Sequence, residues 1–288
     1  MAIESLRALE KASENKDIFE VVLDSDCTDR GVSREASLEK MHALYAAIRR
    51  AREGYDPALH SASGMVGGDG AKMREYVQKG QTICGDYIGQ VIAQALEMGE
   101  SNACMKCIVA APTAGSCGVL PAVLLPYQAR EGLDDNAMVR AMYIAGAIGQ
   151  VVAAKASIAG AAGGCQAEIG TASAMGAAAL CYLGGGSAQA VCHAAAIAIK
   201  SMLGLVCDPI AGLVEVPCVK RNAAGAMIAM SSADMALAGI RSAVPPDEVI
   251  LAMREVGDKM DVSLKETGVG GVAGTPFGQK IAEKMGMA

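Results

Sequence analysis

The chain has 288 residues, a net charge of −6 and a pI near 5.2, and 52% of it is hydrophobic against 19% charged. So apolar a sequence excludes a mainly disordered chain, and the acidic balance argues against a nucleic-acid binder, which would carry a basic stripe. Aromatics are only 3%, Trp is absent and glycine numbers 34, so the expected core is small and aliphatic with backbones in close approach.

In chain order, Ser5 to Val22 has helical composition. Ser33 to Arg52 is a clearer helix, with Ser33 as its cap and Leu38, Met41, Leu44, Tyr45 and Ile48 recurring near a 3.6 period; Gly54 stops it. His60 to Gly70 reads as a Gly/Ser loop, and Tyr87 to Met98 as a short helix ended by Gly99. Ala111 to Gly118 reads as a loop leading into a helix near 120–127. Asp135–Ala154, Glu168–Leu183 and Ala188–Leu203 read as buried helices, with a turn over 158–164 between the first two. A Pro-punctuated loop spans Val206–Val219, and helices follow over Asn222–Ala238 and Asp247–Asp261. A loop over 268–276 precedes a short terminal helix.

Few runs alternate with period 2, so the expected fold class is all-α. Residues 1–60 carry 21 charged side chains and residues 101–240 only 14, so charged amphipathic helices over 1–55 should cover a buried assembly. No domain boundary is evident, and 1–288 is read as one domain. Two uncharged stretches, Cys107–Ala129 and Ile169–Ile199, are long enough to span a bilayer. They are broken by prolines or by Gly184-Gly185-Gly186 and lack basic flanks, so they read as core helices and no membrane role is expected. The N-terminus has no apolar signal-peptide core, which points to the reducing cytoplasm.

Ten cysteines are too sparse for a disulfide scaffold. Cys165, Cys207 and Cys218 lie at loop–helix junctions beside Gly or Pro, the irregular backbone that lets several thiolates converge. By spacing alone an iron–sulfur site, a zinc site and plain core packing all stay open. Cys104-x-x-Cys107 lacks the second pair or βαβ context that would give it a role. Cys181 and Cys192 sit inside Ala-rich helices and read as core; Cys27, Cys84 and Cys117 are lone cysteines.

Four segments, Ala111–Ala122, Gly163–Gly170, Leu205–Ala223 and Leu264–Pro276, together resemble the α subunit, or catalytic domain, of bacterial iron–sulfur-dependent L-serine dehydratase. The resemblance runs from about Asp56 to the C-terminus and is looser upstream. It implies an all-helical, PLP-independent lyase that eliminates water from L-serine to give pyruvate and ammonia. It implies a [4Fe–4S] cluster on Cys165, Cys207 and Cys218, with one iron open to substrate. Some relatives place a later cysteine on that iron, but no Cys follows Cys218 here. The chain is too short for a regulatory domain, so a separate β subunit is implied.

Within that resemblance, Ser61, Ser63 and Gly64 are assigned to the substrate carboxylate, faced by Thr113, Ala114 and Gly115. The base that takes the Cα proton is assigned to His60, with Lys72 as the other candidate if its pKa is lowered. His193 reads as a core residue and His42 as solvated. Glu168, three residues after Cys165, could turn toward the cysteines or bond nearby backbone. An L-cysteine desulfidase, a non-catalytic zinc-binding subunit and a structural helical protein are the rival readings.

Overall fold

The computed structural model describes residues 3–287, and among them there are thirteen α-helices and no β-strand. The expected all-α class holds. Several helices begin where a short polar side chain can take a free backbone amide. Ser5, Ser33, Asp134, Ser187 and Thr275 each accept a hydrogen bond from the amide three residues on, as N-caps do. Gly31 and Gly132 close two helices in the left-handed conformation, with φ of 63° and 64°.

The N-terminal stretch expected as one helix is two: α1 (Leu6–Ala12) and α2 (Ile18–Arg30). The break comes at Asp17, whose side chain accepts from the Phe19 amide and starts a new helix. Helix α3 (Arg34–Glu53) has the cap and stop anticipated. Helix α4 (Asp69–Gln78) was not expected; it carries four charged side chains in ten residues and buries only Gly70. It is docked on α5 (Gly85–Ala103) through Arg74, which gives two 2.6 Å hydrogen bonds to the buried Glu97. Gly99 does not end α5. A Cβ there would lie 3.2 Å from the Val219 Cα, so this glycine instead allows a close helix crossing.

Helix α6 (Val119–Glu131) tolerates Pro121 because the first turn has no amide to pair. The core centres on α9 (Thr171–Leu183), whose residues from Thr171 to Cys181 are all buried. Around it pack α7 (Asp135–Lys155), α10 (Ala188–Met202), α11 (Cys218–Leu237) and α6. The contacts are between small side chains. A Cβ on Gly225 of α11 would lie 2.8 Å from Ile169 Cγ2, and one on Gly176 of α9 would lie 3.2 Å from the Ala229 Cβ. Helix α7 is the one helix among the described residues long and apolar enough to cross a membrane, and 67% of its most apolar window is buried inside the protein. The short α8 (Gly160–Gly163), α12 (Pro246–Lys259) and α13 (Pro276–Lys284) complete the chain.

Candidate functional site

The three junction cysteines reach one region from three different kinds of backbone. Cys165 directly precedes a π-helical turn, Gln166–Gly170, that widens the chain before α9. Such turns concentrate at functional sites because the wider ring re-aims side chains. Cys207 lies in extended chain, its amide donating to the Leu264 carbonyl at 2.8 Å and its carbonyl accepting from the Glu266 amide at 2.7 Å. Cys218 is the first residue of α11. All three are free thiols, exposed by 2%, 2% and 7%.

Burial is the main reason these thiols resist ionisation. It pushes Cys165 up to about 11 and Cys218 to about 12, and it raises Cys207 as well. Glu168 and the other two thiols add to the rise at Cys207. Three thiols that oppose one another's charge form a soft donor set that a positive centre would ionise.

The surroundings are tightly specified. The Arg221 guanidinium donates to the Val206 carbonyl at 2.8 Å and lies 2.8 Å from Asp208 Oδ1. Its charge counteracts the rise at Cys165. Asp208 Oδ2 accepts from the Val272 amide at 2.7 Å, and a Cβ on Gly271 would fall 2.3 Å from that oxygen. The buried Gln166 accepts from the Gly204 amide and donates to the Met253 carbonyl. Asn222 donates to the Gly115 and Cys218 carbonyls and accepts from the Gly118 amide, so it fixes the 113–118 loop to α11.

Glu168 turns toward the cysteines. Thr113 donates to its Oε1 at 2.7 Å, and the Cys207 thiol donates to its Oε2 at 3.8 Å. Burial raises its pKa. Gly160 leaves the space beside it open, since a Cβ there would lie 2.7 Å from Glu168 Oε2 and 2.8 Å from Cys207 Sγ. Gly115 approaches both Glu168 and Val214. Loop 113–115, Glu168 and the segment between Cys207 and Cys218 therefore meet at one place. The amides of Ala114 and Gly115 donate to no protein acceptor among the described residues.

The serine loop joins the same segment. Ser61 donates to Glu215 Oε2 at 2.6 Å, and Ser63 donates to the same oxygen. The Val66 and Met65 amides donate to the two serine hydroxyl oxygens at 3.3 and 3.0 Å. Gly64 closes the turn at φ 76°, its amide donating to the Ser61 carbonyl. The first amides of α4, those of Asp69 and Gly70, are taken by the buried Glu100 at 2.7 and 3.2 Å, and Tyr55 donates to the same carboxylate.

His60 is exposed at the edge of this loop, Nδ1 3.3 Å from the Ala58 carbonyl oxygen. Lys72 is 75% exposed and paired with Asp69 at 2.9 Å, and that hydrogen bond raises its pKa rather than lowering it. His193 is buried and accepts from the Ser242 amide; His42 is half-buried in a surface cavity. Cys117, Cys181 and Cys192 are in the core. Cys104 and Cys107 flank a surface turn at the end of α5. A cavity of about 960 Å³ among α2, α3, α7 and the start of α10 contains none of the residues assigned to the site.

Sequence reasoning missed Glu215, Gln166, Arg221, Asp208, Asn222 and Glu100. All but Glu100 fall inside or beside the segments that carry the cysteines. Their roles arise from contacts across the fold: Ser61 to Glu215 spans 154 residues.

Among the described residues no three of His, Cys, Asp or Glu are disposed to hold a single metal ion. One tetrahedral ion would need its sulfurs drawn to about 2.3 Å from a common point. A multi-iron cluster gives each thiolate its own iron and does not need that convergence. The donor set here, three buried thiols on three separate segments, fits such a cluster.

Over residues 13–273 the sequence matches the family described as "Serine dehydratase alpha chain". It is 48% identical over 245 residues to the "Probable L-serine dehydratase, alpha chain" of Bacillus subtilis (strain 168), covering 85% of this chain and 80% of that one. It is 43% identical over 272 residues to the "L-serine dehydratase, alpha chain" of Peptoniphilus asaccharolyticus, covering 88% and 93%. Over 200 residues it is 52% identical to a "Probable L-serine dehydratase, alpha chain" of Latilactobacillus sakei, covering 69% and 95%.

Proposed function

The chain belongs to the serine dehydratase alpha-chain family, and from that premise we propose that it eliminates water from L-serine to give pyruvate and ammonia, without PLP, on a [4Fe–4S] cluster held by Cys165, Cys207 and Cys218. When bound, the cluster supplies a Lewis-acidic iron with an open position for the leaving hydroxyl. The observation that carries this reading is the meeting of three buried free thiols with Glu168 and the 113–115 loop.

The protein's own groups do the rest. Loop 113–115 offers the unclaimed amides of Ala114 and Gly115 to the substrate carboxylate, and Thr113 holds Glu168 beside them. The Ser61–Gly64 loop binds the other side of the substrate. His60, at the lip of that loop, removes the Cα proton. Lys72 is a poor base, since its pair with Asp69 keeps it protonated. The elimination leaves aminoacrylate, which tautomerises to the imine and hydrolyses to pyruvate and ammonia.

The word "alpha" in the relatives' names supports a separate β subunit as partner. We assign the protein to a reducing cytoplasm, because the buried thiols must stay reduced to take up iron. The disposition of the thiols favours a cluster over a single zinc ion.

The test is anaerobic reconstitution with iron and sulfide, with and without a candidate β subunit, followed by assay of pyruvate from L-serine and of sulfide from L-cysteine. Product from serine that disappears in Cys207→Ala together with the bound iron is the expected result. A full iron–sulfur load that releases sulfide from cysteine but no pyruvate from serine would overturn it in favour of a desulfidase.

A further inference from the structure

Glu215 is a buried carboxylate, 4% exposed, and among the described residues no lysine, arginine or histidine pairs with it. Its hydrogen bonds come from the Ser61 and Ser63 hydroxyls. A hydroxyl has one proton and two lone pairs. Both serine protons are spent on Glu215, so both oxygens are left as acceptors. One lone pair of each takes a backbone amide, from Val66 and from Met65. The second lone pair is unused, and Ser63 is only half-buried.

The loop therefore shows an acceptor face backed by an uncompensated negative charge. It is a poor seat for a carboxylate. The Asp69 and Gly70 amides that follow the loop are already spent on Glu100. Across the site the amides of Ala114 and Gly115 are unclaimed by any protein acceptor among the described residues. A buried carboxylate without a counter-ion is costly, and a cation docking beside it would recover that cost.

L-serine carries one cation, its α-ammonium. Resting on the functional reading above, we infer that Ser61 and Ser63 accept the α-ammonium of the substrate. Glu215 is the positioning residue that holds both hydroxyls in the acceptor state and supplies the opposing charge. The substrate then lies with its carboxylate on the 113–115 loop and its ammonium on the serine loop. The site selects α-amino acids over hydroxy acids of the same length.

The experiment uses the iron-loaded enzyme, with its β subunit if activity needs one. It measures kcat and KM for L-serine and the inhibition constant of 3-hydroxypropanoate, which keeps the hydroxyl and carboxylate but has no ammonium. Glu215→Gln keeps size and an acceptor and removes the charge; Ser63→Ala removes one acceptor and leaves the carboxylate. Each variant is expected to raise KM for L-serine on the order of 10- to 100-fold, as for a lost hydrogen bond to a charged group. The inhibition constant of 3-hydroxypropanoate should move less than about threefold, with kcat less affected than KM. Iron content and melting temperature should match the parent enzyme.

Equal shifts for serine and the amine-free analogue, or no shift for either, overturn the inference. If Glu215→Gln does not fold, Ser63→Ala decides by the same comparison. If the parent enzyme makes no pyruvate, the functional reading fails on its own. Calorimetric binding of L-serine against 3-hydroxypropanoate then decides whether the loop recognises an ammonium.

Discussion

His193 is buried in the structure. It sits among alanines on α10 and accepts the Ser242 amide on Nδ1 at 3.1 Å. Protonating that nitrogen would break the bond. Burial, with Arg241 and Lys200 nearby, lowers its pKa below the ordinary histidine value. The unfolded chain then binds a proton that the native ring refuses, so stability rises with pH across this range. The contribution is complete above the unfolded pKa, about 6.5, and falls as pH drops below it. Melting temperature should fall between pH 7 and pH 5 on this account. His193→Asn, which can still accept from Ser242, should flatten that fall, as differential scanning calorimetry at the two pH values would read. At this scale the Gly and Pro flanks marked Cys165, Cys207 and Cys218 as candidates, but only the family resemblance assigned them a cluster. Glu215 and Glu100 were not legible, because an acidic residue gives no local sign that its partners lie across the fold.

Among the elements, the helices with regular apolar periods were readable and the polar ones were not. Helix α4 has no apolar stripe, and it exists because Glu100 caps its first amides and Glu97 holds Arg74. Gly99 misled because glycine signals both a stop and a close crossing, and only the partner helix distinguishes them. The crossing of α9 and α11 depends on the second use. Gly225 has Ile169 Cγ2, Ser173 Oγ and Val119 Cγ2 within 3.1 Å of where its Cβ would be. Gly225→Val should therefore cost about 1–3 kcal/mol by overpacking, despite leaving a helix with one glycine fewer. Urea denaturation at unchanged slope would measure it; equal or greater stability would mean that the crossing can open at little cost. Cys218 begins α11, so the same substitution should also weaken iron retention.

For the whole molecule, the all-α class followed from composition and the lack of alternating runs. The assembly did not, because its organising contacts join distant segments. The 160–170, 204–220 and 262–275 stretches meet around the cysteines through Gln166, Arg221 and the Cys207–Lys265 pairing. A cofactor that binds only the native arrangement stabilises it by mass action. Stripping iron with a chelator under anaerobic conditions should lower the melting temperature. It should also speed amide exchange mainly in those three stretches, leaving α7 and α9 protected. Uniform acceleration across the chain would instead mean that the metal supports the entire core.

The pairing of Cys207 with the stretch around Lys265 also bears on biosynthesis. The ribosome delivers Cys165, Cys207 and Cys218 well before the segment that clamps the middle one. A nascent chain halted near residue 250 would carry every ligand and still have Cys207 unpinned, with Asp208 lacking the Val272 amide. Loading of the proposed cluster therefore belongs after release from the ribosome, and chains terminated before residue 262 should retain little iron.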